Sequence, residues 1–383
     1  MGGIRLFLAC GVLFLHSNEQ VLSHVGLQGK AIWSLNLIGG LAVIFFYIVS
    51  GFLISYVLNS KYAESVSGTL AFYRSRFLRI YPLWWVLLLF CVWIGPNLSS
   101  VPAVAGLVPA SVLIGSDWIV AFGRYPVPYW SVFPPGSEIG WTLGAEVAFY
   151  LMAPWVLRSH RLAMALFAGT IAVRVLALFL VGPDDPAHKT WVYLFFPSIL
   201  AFFLLGHLAE KLLRSRPIGI VGSVALLIAA ATATSCLDDS TSIDSPWFHV
   251  AALCFAAALP GIFAATKDNR VSNFLGNLTY PLYLTHVVVI SAVFSGTLSR
   301  IGQGLITASR MFDSIQLESI FVMGTTLAIA LCVAAATHVA IERPLRVAFA
   351  WLLDSGARKI PLLAQSLIAT SPRSDSAPRR RGG

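Results

Sequence analysis

Long apolar runs separated by short polar or basic stretches dominate the chain. Ten of them approach the roughly 20 residues that a helix needs to cross about 30 Å of hydrocarbon. They fall at about 4–22, 36–58, 77–95, 141–158, 162–181, 191–213, 217–236, 246–266, 277–295 and 318–341. The pattern predicts an all-α, polytopic membrane protein with about ten transmembrane helices. No small-x-small cleavage site follows His16 in the first run, so that run is expected to stay as a span rather than leave as a signal peptide. A shorter run, Val101 to Gly115, has prolines at its start and middle and reads as a re-entrant or interfacial piece of a long loop. The loop from about 96 to 140 also holds Tyr125, Pro126, Pro128, Tyr129, Trp130, Pro134 and Pro135. Proline punctuation among aromatics fits an ordered cap over a substrate as well as an interfacial aromatic belt.

Composition strengthens the membrane reading, since 57% of the 383 residues are apolar and only 11% charged, against about 25% charged in soluble domains. The net charge of +9 needs no nucleic acid to explain it, because its distribution is that of a membrane protein. With the N-terminus in the cytoplasm, eighteen Lys and Arg fall in inner loops and the C-terminal segment, and five (Lys30, Arg124, Lys189, Arg300, Arg310) in outer ones. That asymmetry supports an even number of spans with both ends inside. The five cysteines lie in or beside apolar runs without metal-ligand spacing, so neither a disulfide framework nor a metal site is expected. From Ser366 onward the chain is rich in Ser, Pro and Arg, the composition of a disordered cytoplasmic tail.

A few ionisable residues interrupt the apolar runs, where they are costly. Arg5 and His16 lie eleven positions apart in the first run, about three helical turns, which puts them on one face roughly 16 Å apart. The pair fits a signal anchor with an incidental histidine, or a catalytic histidine at about mid-depth served by an anion-binding arginine at the cytoplasmic surface. In FYRSRFLRIYP, Arg76 and Arg79 share a face at the cytoplasmic start of the third span. Inside-positive anchoring accounts for Arg74 and Arg76; Arg79 sits deeper and wants a partner, either a structural acid or a phosphate, which guanidinium forks suit. Glu146 lies in the otherwise apolar fourth span, where it could pair with Arg174 of the next span or position an acceptor hydroxyl or a histidine. His286 is near mid-depth in the ninth span, with Tyr283 on its inner side, and reads as a hydrogen-bonded structural histidine. Glu342 beside Arg343 reads as a helix-end ion pair.

Six stretches then occur in order: Arg5 with His16, IFFYIVSGFLIS at 44–55, FYRSRFLRIYP at 72–82, W-T-L-x-x-E-x-x-F-Y at 141–150, LGNLTYPLYLTH at 275–286, and E-R-P-L-R at 342–346. Together they resemble acyltransferase family 3, bacterial integral-membrane O-acyltransferases that modify surface polysaccharides, lipopolysaccharide, nodulation factors and some antibiotics. The resemblance implies a transmembrane acyltransferase domain over 1–346 followed by a cytoplasmic segment, 347–383. It implies acyl-CoA, usually acetyl-CoA, as co-substrate with no permanently bound cofactor, and a hydroxyl of a cell-surface or exported carbohydrate or glycolipid as acceptor. His16 becomes the expected catalytic base and Glu146 a second catalytic candidate. Arg5, Arg76 and Arg79 become donor-binding, and Trp141, Tyr283 and His286 candidates for acceptor contact or support. The expected location is the bacterial inner membrane, with other envelope-polysaccharide enzymes as candidate partners. Four residues precede Arg5, fewer than relatives often carry; Thr142 stands where serine is usual; the esterase-like extra domain of some relatives is expected to be absent. No serine or cysteine nucleophile beside a base stands out, so direct attack on the thioester is favoured. The rival class is a transporter or flippase of a glycan or glycolipid, which also uses intramembrane His, Glu and Arg.

Overall fold

A computed structural model describes residues 1–17, 30–94, 107–108, 110–115, 118, 136–182, 185, 187–215, 218–237, 244–312 and 314–354. Helices alone make up the regular structure among these residues. They are α1 (Gly2–Ser17), α2 (Lys30–Lys61), α3 (Val66–Ile94), α4 (Gly140–Val156), α5 (His160–Leu180), α6 (Phe196–Ser215), α7 (Ile220–Ser235), α8 (Pro246–Thr266), α9 (Arg270–Phe294), α10 (Ser299–Ser309) and α11 (Ile315–Thr337). One π-turn, Thr190–Leu194, leads into α6, and another, His338–Glu342, carries α11 onward through 343–354. Among the described residues, seven helical stretches are long and apolar enough to cross a membrane. The shorter α1, α4 and α7 run beside them, and α10 is a short helix that the apolar pattern does not predict.

Side-chain caps explain several starts. Ser159, Ser245, Asn269 and Ser314 each accept from a backbone N–H of the first turn of α5, α8, α9 and α11. The Asn269 cap begins α9 seven residues before the expected 277, because polar residues can extend a helix beyond its apolar run into the interfacial zone. The rods alternate in direction. At one end the Gly2 amide donates to Ser272 Oγ at 3.0 Å, Arg158 reaches from beyond α4 to the Ala63 carbonyl at 2.8 Å, and Arg74 meets Asp354 at 2.8 Å. At the other, Tyr193 donates to the Gly40 carbonyl at 3.1 Å and His188 meets Asp244 at 2.9 Å.

The core lies between α2, α3, α4, α6 and α8, where Phe52, Trp84, Phe149, Phe203 and Phe248 are fully buried and Phe149 stacks on Phe203 at 4.5 Å. Glycine allows a close crossing of α2 and α6 from both sides: a Cβ on Gly206 of α6 would lie 2.0 Å from the Ile48 carbonyl oxygen of α2, and one on Gly51 of α2 would lie 1.8 Å from the Phe203 carbonyl oxygen, the small-residue contact that membrane bundles use. α1 packs against α2 and α9, and a Cβ on Gly2 would strike the Ser272 carbonyl. α5 and α7 lie outermost, exposing Leu176, Phe179, Val221 and Ile228, as a lipid-facing helix does.

Part of the 101–115 run is described, and it docks rather than spans. Trp84 and Trp85 of α3 donate to the carbonyls of Ala110 at 2.9 Å and Ser111 at 3.0 Å, and Ala110 and Leu113 are fully buried. The aromatic and proline cluster at 125–135 and the tail expected to be disordered from about 366 lie outside the described residues. The ion pair read for Glu342 and the one offered as an alternative for Glu146 are both replaced. Glu342 turns into the bundle, where the His338 ring meets it at 2.6 Å and Arg346 at 3.6 Å; the π-turn aims it away from Arg343. Arg174 pairs not with Glu146 but with the Val192 carbonyl at 2.6 Å and His249 at 3.3 Å, its guanidinium lying over Phe202 and Phe248.

Candidate active site

α1, α2, α3, α4 and α9 enclose a cavity of about 220 Å³. Its charged lining is Arg5, Arg76, Arg79 and Glu146, three guanidinium groups against one carboxylate. Helical spacing delivers them: Arg76, Arg79 and Ile80 follow i, i+3, i+4 on α3, and Ser50, Ile54 and Val57 make the facing stripe of α2. The carboxylate is already engaged. Glu146 Oε1 accepts from Ser50 Oγ at 2.9 Å and from the Tyr150 hydroxyl one turn along α4. Arg76 lies 5.7 Å from the ring centres of Phe72 and Tyr150, and among the described residues it donates from Nη2 to Ser75 Oγ at 3.0 Å and leaves its buried Nε unpaired. Among the described residues neither the Arg5 nor the Arg79 guanidinium makes a hydrogen bond or ion pair. The cavity therefore carries an excess of positive charge with donors to spare, the electrostatics of an anion site.

Its far wall leads to the histidines. The Thr142 hydroxyl donates to the Ile139 carbonyl at 2.8 Å, which leaves the Tyr283 phenol as donor in the 2.5 Å contact between Tyr283 and Thr142. Tyr283 lies 5.8 Å, ring to ring, from His286, and His286 lies 5.2 Å from His16, tilted by 45°. The backbone carbonyl of Tyr283 can only accept, so the 2.7 Å contact to His286 Nδ1 fixes the proton there. His286 Nε2 is then a bare lone pair, buried and without a partner among the described residues. His16 is exposed at the end of α1, away from the arginines.

The sequence-derived residues thus fall into two groups. Arg5, Arg76, Arg79 and Glu146 line the cavity, Tyr283 forms its far wall, and His286 and His16 stand beyond it. Trp141 lies outside the lining, packed on Tyr193 at 5.6 Å. Glu146 is one turn of α4 inward from Thr142, while His286 is about one turn of α9 outward from Tyr283, so the carboxylate serves the arginine end rather than the histidine pair. Ser50 and Tyr150 were missed as partners of Glu146, although both sit in the quoted motifs and Tyr150 follows Glu146 at i+4. Also missed was a buried cluster between α2 and α6, where Ser55 Oγ lies 2.7 Å from His207 Nδ1 and donates to Glu210 at 3.0 Å. Ser55 is fully buried and absent from the cavity lining, so this serine and histidine do not offer a nucleophile to a substrate there.

An α-helical membrane bundle around an arginine-rich cavity, with a histidine pair past its far wall, is the class of protein that fold and site define. The model of the acyltransferase domain, family 3, matches residues 1–337: the chain belongs to that family and is a membrane acyltransferase. It is 29% identical to the acyltransferase MdmB of Streptomyces mycarofaciens over 75% of this chain and 78% of that protein. It is 30% identical to nodulation protein 10 of Rhizobium leguminosarum bv. viciae over 46% of this chain, and 23% identical to the O-acetyltransferase OatA of Staphylococcus aureus over 77%. The matches span about half the length of those two proteins. No solved structure gives a significant match.

Proposed function

We propose that the protein transfers an acyl group, acetyl foremost, from cytoplasmic acyl-CoA to a hydroxyl of a cell-envelope or exported carbohydrate or glycolipid, in a bacterial inner membrane with both termini cytoplasmic. The observation that carries this reading is the cavity with three arginines, one engaged carboxylate and no ion pair to Arg5 or Arg79. The phosphates are the strongest anions on the donor, and guanidinium forks hold phosphate. The thioester lies at the end of a flexible pantetheine arm, and the roughly 16 Å that helix geometry puts between Arg5 and His16 is a distance for such an arm to bridge.

A thioester is already activated, so the protein's tasks are to hold two substrates and take a proton. The acceptor hydroxyl gives its proton to His16 as its oxygen bonds to the thioester carbonyl carbon; the carbon–sulfur bond breaks, and the departing CoA thiolate takes a proton. A neutral imidazole can take the hydroxyl proton and hand it on to the thiolate, which suits both steps. His286, held in one tautomer, packs against His16 and supports its ring.

The test is release of free CoA thiol by purified protein in lipid nanodiscs, given acetyl-CoA and a panel of saccharide acceptors, with the acylated product identified by mass spectrometry. Acceptor-dependent thiol release is expected. Tight acetyl-CoA binding without transfer to any acceptor, or vectorial movement of a glycolipid without acylation, would overturn it.

A further inference from the structure

A second basic groove, of about 590 Å³, opens at the end of the bundle where α3 begins. It is lined by Ala71, Arg74, Ser75 and Leu78 of α3 and by Arg343, Arg346, Val347 and Ala350 of the terminal helix. The α3 residues follow i, i+3, i+4, i+7, a stripe turned about α3 by roughly 90° from Arg79 and roughly 150° from Arg76, and no residue of this lining belongs to that of the cavity. A ligand in this groove is therefore not the one in the cavity.

The arginines are unequally engaged. Arg74 pairs with Asp354 at 2.8 Å and donates to the Ala350 carbonyl at 3.3 Å. Arg346 stands 3.6 Å from Glu342, whose carboxylate His338 already contacts at 2.6 Å. Arg343 is exposed and has no partner among the described residues. Neither acid belongs to the lining.

Three features place the groove at a bilayer surface. Its floor is apolar: Ala71, Leu78, Val347 and Ala350. Val66, Leu70, Val347 and Leu352 beside it are exposed, as residues against acyl chains are. Trp155 Nε1 donates to Tyr73 Oη at 3.2 Å, Trp351 follows Ala350, whose carbonyl accepts from Arg74 next to Tyr73, and both tryptophans are exposed; interfacial Trp and Tyr mark the headgroup level. We infer that this groove binds the headgroup phosphate of an anionic phospholipid, Arg343 and Arg346 holding the phosphate and Val347 and Leu78 meeting the upper acyl chains. Basic pockets between transmembrane helices select anionic headgroups in this way, and the inference does not depend on the acyl donor.

Native mass spectrometry on the full chain in detergent, with an equimolar mixture of phosphatidylglycerol and phosphatidylcholine, tests it. Wild type should retain phosphatidylglycerol preferentially, and the double variant Arg343→Gln, Arg346→Gln should lose that preference at least tenfold. Val347→Trp keeps every charge but fills the groove, and should lose it as well; it decides the matter if the double variant does not fold. Arg79→Gln should keep it. Equal retention of the two lipids by wild type, an undiminished preference in Val347→Trp, or loss in Arg79→Gln alone would overturn the assignment. Inorganic phosphate at millimolar concentration should leave the adducts in place; displacement would mean a soluble anion is the ligand and would overturn the lipid assignment.

Discussion

Replacing Arg79 by alanine separates ligand binding from bundle stability, because its guanidinium makes no ion pair or hydrogen bond among the described residues while lining the cavity beside Arg5 and Arg76. A charge-assisted hydrogen bond contributes about 1.5–3 kcal/mol. A bidentate contact of Arg79 with a donor phosphate would, at the lower value for each bond, contribute about 3 kcal/mol, or roughly a hundredfold in dissociation constant. Lysine keeps the charge but loses the planar fork, so Arg79→Lys should weaken binding by about tenfold, one bond's worth. The measurement is equilibrium dialysis of radiolabelled acetyl-CoA against purified protein, which needs no knowledge of the acceptor. Thermal unfolding supplies the control: the alanine variant should unfold near the wild-type temperature, since no internal partner is orphaned. A folded Arg79→Ala protein with the wild-type dissociation constant would refute the donor-binding role, and a large fall in unfolding temperature would show that Arg79 holds the bundle together.

His16→Ala should insert normally yet lose about a hundredfold or more in turnover; wild-type turnover would remove His16 from the mechanism. Glu146→Gln should bind acetyl-CoA at least as tightly as wild type, because the cavity loses its one negative charge while the amide oxygen still accepts from Ser50 and Tyr150. A hundredfold loss of turnover with unchanged donor binding would instead make Glu146 catalytic. Gly206→Ala puts a methyl 2.0 Å from the Ile48 carbonyl oxygen and should cost about 1–3 kcal/mol, visible as a lower unfolding temperature; an unchanged one would mean that α2 and α6 separate freely. A reporter fused after Arg381 should read as cytoplasmic, and a periplasmic signal would mean that the spans are miscounted.

The helices were legible because apolar runs are long and their interruptions basic. Arg5, Arg76, Arg79 and Glu146 were legible for the opposite reason, as charges where charge is costly, and the cavity gathers all four. What they pair with was not legible. Glu146 and Arg174 stand on consecutive spans, yet their partners come from α2 and α4 in one case and from the turn before α6 and from α8 in the other. Neighbouring spans need not turn the same faces together, and a single sequence carries no record of helix rotation. His207 and Ser55 are 152 positions apart in chain terms, so no local spacing announces their contact. The π-turn at His338 re-aims Glu342 through one wide turn, which an ideal 3.6-residue period does not anticipate.

The contact between His16 and His286 joins residues 270 positions apart, and that separation orders events during biosynthesis. At about 5–20 residues per second, α1 leaves the ribosome roughly 15–55 s before α9 exists to receive it. Through that interval its cavity-facing arginine and its histidine have only α2 and later arrivals for neighbours. The insertion machinery and early partners must therefore shelter a polar stripe whose α9 neighbour arrives late, and a chain cut short before residue 286 would carry every arginine of the cavity with no imidazole to set against His16.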